Sequence, residues 1–283
     1  MNYKLTSVLA AGALLAASPG AIRADEVSEK GREIFKKHQR AVVTVQIVQK
    51  TTYASQGRTA PPNEARQELT GTVVDPSGLT VLALSACDPT EMYQRMMPER
   101  YANYKIETEL SDIKILLHDG TELPSEIVLR DKDLDLAFIR PKAKPAAPLD
   151  AVDISKSGAA QILDQVISLN RLNKATGRAH AASVERICGV VQKPRTFYIP
   201  DSTMTATALG SPVFTLDGSF LGLDVMRTVT SSDGGMNNFR PEGATSIILP
   251  AADILKAARQ APEAKGGDEK KEEPKEKKEG EAK

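Results

Sequence analysis

The sequence predicts an all-β fold, and three observations carry that prediction. Between Ala41 and Pro250 the apolar residues fall in short runs rich in Val, Ile and Leu. Most runs are bounded by Gly, Pro or Asp turn signals, and helical spacing is confined to the two ends of the region. A strand buries its apolar face only when another sheet or a closed barrel covers it. Many short strands with such turns therefore imply a β-sandwich or a pair of barrels.

The chain opens with Lys4, an apolar stretch from Val8 to Ala17, then Ser18-Pro19-Gly20 and a small residue at Ala24. That order of basic, apolar and small residues is a secretory leader over residues 1–24, and the apolar stretch is shorter than the ~20 residues that span a bilayer. The mature chain is thus expected to be secreted or periplasmic, in the cell envelope, with no membrane span after cleavage. Next, Val27, Ile34 and Phe35 share one helical face in the segment ending at His38. The strand runs follow: "AVVTVQIVQ", "GTVVD", "LTVLALS", "IKILLHDG", "SEIVLRD" and "LDLAFIR". "KAKPAAPLDAVD", over residues 142–153, reads as a connector. Beyond it come "AAQILDQVISL", "VERICGVVQ", "SPVFTLDGSFLGLDV" and "ATSIILP". Asp217-Gly218, set between two apolar runs, is the strongest hairpin signal. Helix returns at Ala251–Arg259, after Pro250. From residue 261 to 283 mixed charge without apolar periodicity predicts a disordered tail. The expected units are residues 25–145, residues 146–260 and this tail.

Composition excludes several function classes. Lys plus Arg and Asp plus Glu balance at 37 each, so the clustered positive excess that binds nucleic acid is missing. There is no Trp, which also weakens base or sugar stacking. The three His and two Cys show no CxxC, HxxxH or HExxH spacing, and no metal or cofactor is expected. His118 and His180 read as exposed loop residues. Gly234-Gly235 sits in a polar loop and reads as a turn. Cys87 and Cys188 allow either one disulfide or two separate buried thiols.

Four segments carry a resemblance. "GTVVDPSGLTVLALSA", "IKILLHDGTELPSEIVLRDKDLDLAFIR", "LGSPVFTLDGSFLGLDV" and "GATSIILPAADILKAARQ" occur in the order and spacing of the protease domain of the HtrA family, whose fold is the trypsin-like double β-barrel. The resemblance implies that fold, with short terminal helices and one barrel in each half. Aligning on Pro212 and Asp217-Gly218, the family's "G-N-S-G-G-P" falls on Thr207, Ala208, Leu209, Gly210, Ser211 and Pro212. The nucleophile position is then Leu209. Aligning on "VVDPSG", the histidine position is Ser85, and only Asp135 keeps its residue type.

In such a triad imidazole takes the serine's proton and the carboxylate orients the imidazole. Leucine cannot attack, and Ser85 is no base near neutral pH. Thr207 stands where a glycine shapes the oxyanion loop with Gly210. The resemblance therefore implies a peptidase fold with its chemistry removed, which leaves a peptide or protein ligand, or a scaffold, as the expected role. The alternative is an active peptidase with a displaced nucleophile, Ser211 or Cys87. The sequence further predicts that Ser85 lies within hydrogen-bonding reach of Asp135.

Overall fold

The computed structural model describes residues 26–55, 58–90, 92, 94, 104–201, 209–228 and 244–263. The expected leader, Thr207, the expected turn at Gly234-Gly235 and all but the first residues of the expected tail lie outside them.

Helix α1 (Glu26–His38) starts with acidic Glu26 and Glu29 and ends with Lys36 and Lys37, in register with the helix dipole. Six strands then close the first barrel: β1 (Val42–Ser55), β3 (Asn63–Val73), β4 (Thr80–Ala83), β5 (Tyr104–Leu116), β6 (Glu122–Asp131) and β7 (Leu136–Pro141), with two-residue β2 (Arg58–Thr59) extending β1. Their spatial order is β1-β3-β4-β7-β6-β5, and β5 returns to pair with β1. The second closed barrel uses β8 (Gln165–Arg171), β9 (His180–Val191), β10 (Phe197–Pro200), β11 (Pro212–Thr215), β12 (Phe220–Thr228) and β13 (Ala244–Pro250), in the order β10-β13-β12-β11-β8-β9. The double barrel expected from the sequence is thus present. No helix among the described residues is long and apolar enough to cross a membrane.

Strand alternation sorts the side chains into three cores. Val43, Val45 and Ile47 fill the first barrel with Val73, Leu82, Ile115 and Ile139. One residue from each strand of the second barrel, Val166, Ile187, Tyr198, Val213, Leu221 and Ile248, fills the other. The opposite faces supply the largest cluster, in which Val42, Val81 and Phe138 of the first barrel meet Ile167, Phe214, Leu223 and Leu249 of the second. Helix α1 and the closing helix α3 (Ala251–Ala258) add Ile34 and Ile254 to it. The connector 142–164 contributes Val152 and Ile154, and Val152 N donates to Val73 O at 2.9 Å.

Polar contacts also cross between barrels. Arg178 forks onto Glu68, with Nη2 2.5 Å from Oε1, and Thr70 Oγ1 donates to Asn170 Oδ1 at 2.8 Å. The closest approach is at Gly210, whose φ is +90°. A Cβ there would lie 2.3 Å from the Thr70 carbonyl oxygen, inside any permissible contact. Thr72 Oγ1 donates to the Gly210 carbonyl at 3.0 Å across the same seam. Gly210→Ala therefore combines a forbidden backbone angle with a backbone clash. We expect it to cost at least ~2 kcal/mol, read as a lower urea midpoint. A midpoint equal to the parent's would show that the seam is slack.

Candidate functional site

The turn between β6 and β7 and the end of β4 build the site together. Asp135 has φ +57°, a left-handed angle that Asp tolerates better than most residues. This bend sends both its carbonyl and its carboxylate toward residues 84 and 85. Leu84 N donates to Asp135 O at 2.9 Å, and Ser85 N donates to Asp135 Oδ1 at 2.7 Å. Ser85 Oγ donates to Oδ2 at 2.8 Å, the contact expected from the sequence. The run "LTVLALS" was expected to be extended throughout. Instead the strand stops at Ala83 and Leu84–Cys87 forms one helical turn, α2, because residues 84 and 85 spend their N–H groups on Asp135 rather than on a strand.

A further donor comes from the other barrel. Met226 N, on β12, donates to Asp135 Oδ2 at 2.7 Å. The carboxylate thus joins three donors from both sides of the seam, and a half-buried charged acceptor so supplied is strongly held. Sequence reasoning missed Met226, since a backbone N–H carries no residue signature.

These groups border a cavity of ≈ 310 Å³ between the barrels. Leu84, Ser85, Leu134 and Asp135 form one wall, and Phe197, Val225, Met226 and Leu249 the other. None of the chain's three histidines lines it. His118 is exposed in its turn, as expected. His180 departs from expectation: it opens β9, is half-buried with Nδ1 enclosed, and burial holds its imidazole down at about 4. His38 stacks on Phe214 with ring centroids 4.5 Å apart, and burial lowers it to about 4 as well.

The residues proposed as nucleophiles are enclosed. Leu209 is 6% exposed and belongs to the inter-barrel core. Ser211 is 0% exposed, with its Oγ unpartnered. Cys87 is 2% exposed, its Sγ donates to Leu84 O at 3.2 Å, and burial, then the charge of Asp88, pushes the thiol up to about 12. A thiol so raised is not a thiolate at neutral pH. No disulfide forms: Cys87 is buried in the first barrel's core and Cys188 is exposed on β9 of the second, so the pair is neither bridged nor jointly buried. Among the described residues no three His, Cys, Asp or Glu side chains converge as a metal site.

Behind Ser211 lies a second feature that the sequence did not disclose. Asp224 is 2% exposed and its backbone pairs with the turn, through Gly210 N to Asp224 O at 2.8 Å and Asp224 N to Ser211 O at 3.0 Å. Its side chain meets Ser168 Oγ at 3.3 Å, and Oδ1 has no partner. Burial, reinforced by the charge of Glu185, raises its carboxyl well above the usual range.

Two expected outcomes follow from these contacts. Asp135→Ala leaves Ser85 N and Met226 N without their acceptor and should lower unfolding free energy by about 3 kcal/mol, whereas Asp135→Asn, which keeps an acceptor oxygen, should lose less. Equal urea midpoints for parent and Asp135→Ala would refute the clasp. For Asp224, the folded protein keeps its proton above the pH at which the unfolded chain loses it. Its stabilising contribution is therefore complete below the ordinary carboxyl range and falls as pH rises toward the raised folded value. Asp224→Asn should consequently gain stability over the parent across the window that opens at about pH 4 and extends upward toward the raised folded value, measured by urea melts. A constant difference across that window would place the ionisation elsewhere.

Comparison with known proteins agrees with this geometry. A search of curated proteins finds no match. A crystal structure titled as that of Deg5 superposes with a TM-score of 0.50 at 14% identity, covering 82% of this chain and 94% of that one, which shows a shared fold. The resemblance to HtrA-type protease domains therefore holds at the level of architecture. The trypsin-like peptidase domain family matches residues 69–223, from within β3 through the hairpin at Asp217-Gly218 and into β12. By that match the chain belongs to the trypsin-like peptidase domain family.

Proposed function

We propose that this chain is a non-catalytic trypsin-like domain, exported to the cell envelope by its leader, that holds extended peptide segments in the cleft between its barrels. The observation that carries this reading is the Ser85 hydroxyl, 2.8 Å from Asp135 Oδ2. A catalytic imidazole would have to accept a serine's proton beside that carboxylate, and a hydroxyl cannot do so at neutral pH. Leu209 offers no hydroxyl, and Ser211 offers one that substrate cannot reach.

The cleft keeps what peptide binding needs. β12 pairs with β13 along Gly222–Thr228, but β11 covers it only up to Leu223. Beyond that residue Asp224 pairs with Gly210 and Ser211 and Met226 N is held by Asp135, and from there Met226, Arg227 and Thr228 line the cleft. An extended ligand can add to a strand edge through backbone hydrogen bonds, while side-chain pockets select its sequence.

The test combines a fluorophosphonate probe, a thiol-directed probe and casein digestion, each run on the mature protein beside its Ser211→Ala and Cys87→Ala variants. The expected outcome is no casein cleavage, no labelling of Ser211, and labelling of Cys87 only after denaturation. Casein cleavage by the parent that disappears in either variant would overturn this reading in favour of a displaced nucleophile.

A further inference from the structure

The same cleft has an uneven charge. Four basic side chains border it: Arg130 and Lys132 on the first barrel, Arg195 and Arg227 on the second. On the first barrel the acids Asp88, Asp133 and Asp135 line the cavity beside them, and Asp135 is already held by three donors. Among the described residues the second barrel's wall contributes no lining acid, and there the two arginines flank an apolar floor. Arg227 lies over Phe197 with its guanidinium carbon 4.8 Å from the ring centroid, which fixes the cation at the cavity rim. Arg195, two residues before Phe197, reaches Asp253 Oδ1 only at 4.0 Å, the outer limit of an ion pair, and its side chain is 43% exposed. Phe197, Ile247 and Leu249 beneath them are buried.

Resting on the cleft reading above, we infer that the ligand is a peptide segment pairing an apolar side chain with an adjacent carboxylate. The apolar group covers the Phe197–Leu249 floor, and the carboxylate meets Arg195 and Arg227 at the rim. Charge complementarity selects this occupant. A basic segment would place its cations against the two arginines with only the opposite wall's acids to offset them, whereas a carboxylate matches the planar donors of arginine. The carboxylate can belong to an Asp or Glu side chain or to a chain terminus, and both present the same two oxygens.

Fluorescence anisotropy on the mature full chain separates these cases. Labelled peptides share one apolar core and carry either flanking Glu with an amidated end, no acidic side chain with a free terminal carboxylate, flanking Lys with an amidated end, or no charge at all. We expect the Glu-flanked or the free-terminus peptide to bind about tenfold more tightly than the Lys-flanked one, a difference of about 1.4 kcal/mol. Whichever of the two leads identifies the source of the carboxylate. Raising salt from about 0.1 M to about 1 M should remove most of that preference. Arg195→Gln and Arg227→Gln should each abolish much of it while leaving the uncharged peptide's affinity in place. Arg195→Gln serves as the variant that spares the Phe197 stack, and Arg66→Gln, outside the cleft, should change nothing. Equal affinities for Glu-flanked, free-terminus and Lys-flanked peptides would overturn the charge inference and leave the cleft reading standing. Failure of every peptide to bind would overturn both.

Discussion

One carboxylate, that of Asp135, ties the two barrels together at the cleft. Asp135 receives two donors from Ser85 and one from Met226, so its oxygens link the end of β4 to β12 across the seam. The surrounding elements fit that constraint. The left-handed bend at Asp135 aims the carboxylate, the helical turn at Leu84–Cys87 presents Ser85, and the end of β12 lies close enough for its backbone to donate. In an active member of the family an imidazole shares this aspartate. Here a hydroxyl and two backbone N–H groups satisfy it, and the residue has a structural reason to persist that is independent of proton transfer.

Packing and polarity divide the work between the two sides of the seam. The inter-barrel core of Phe138, Phe214, Leu223 and Leu249 supplies the non-directional attraction. The Arg178–Glu68 fork, the Thr70–Asn170 contact and the Gly210 approach determine the register in which that core can close. Asp224 is the costly exception: a carboxyl inside a barrel whose other inward residues are mainly aliphatic, raised by its own burial. Its backbone holds both Gly210 and Ser211, so this element sits at the turn that in the family shapes the chemistry.

Local signals in the sequence were strong enough to fix the architecture. Asp217-Gly218 marked its hairpin because that turn demands a left-handed residue, and Gly218 has φ +82°. Asp135 was located through the resemblance of "IKILLHDGTELPSEIVLRDKDLDLAFIR" to the family's aspartate segment, and its carboxylate does receive three donors. The limits were equally physical. Met226 acts through its N–H, which every residue but proline owns. Asp224 lies in "LGLDV", where the apolar neighbours announce burial without saying which face the acid takes. His180 looked like a loop residue because "GRAHAAS" has turn composition on one side only, and β9 claims the rest. The cysteines could not be placed at all without the barrels' relative position.

Leu209 carries a consequence for substitution at its position. Its side chain is part of the hydrophobic cluster between the barrels, alongside Leu223 and Phe214. Placing a serine at this position would remove an isobutyl group from a close-packed region and install a hydroxyl in its place. Large-to-small changes of that kind cost about 2–5 kcal/mol, a large share of what holds an ordinary domain together. A serine there would also stand without an imidazole at residue 85 to take its proton. The leucine thus works as a wedge: whatever small polar side chain takes position 209 loosens the packing between the barrels.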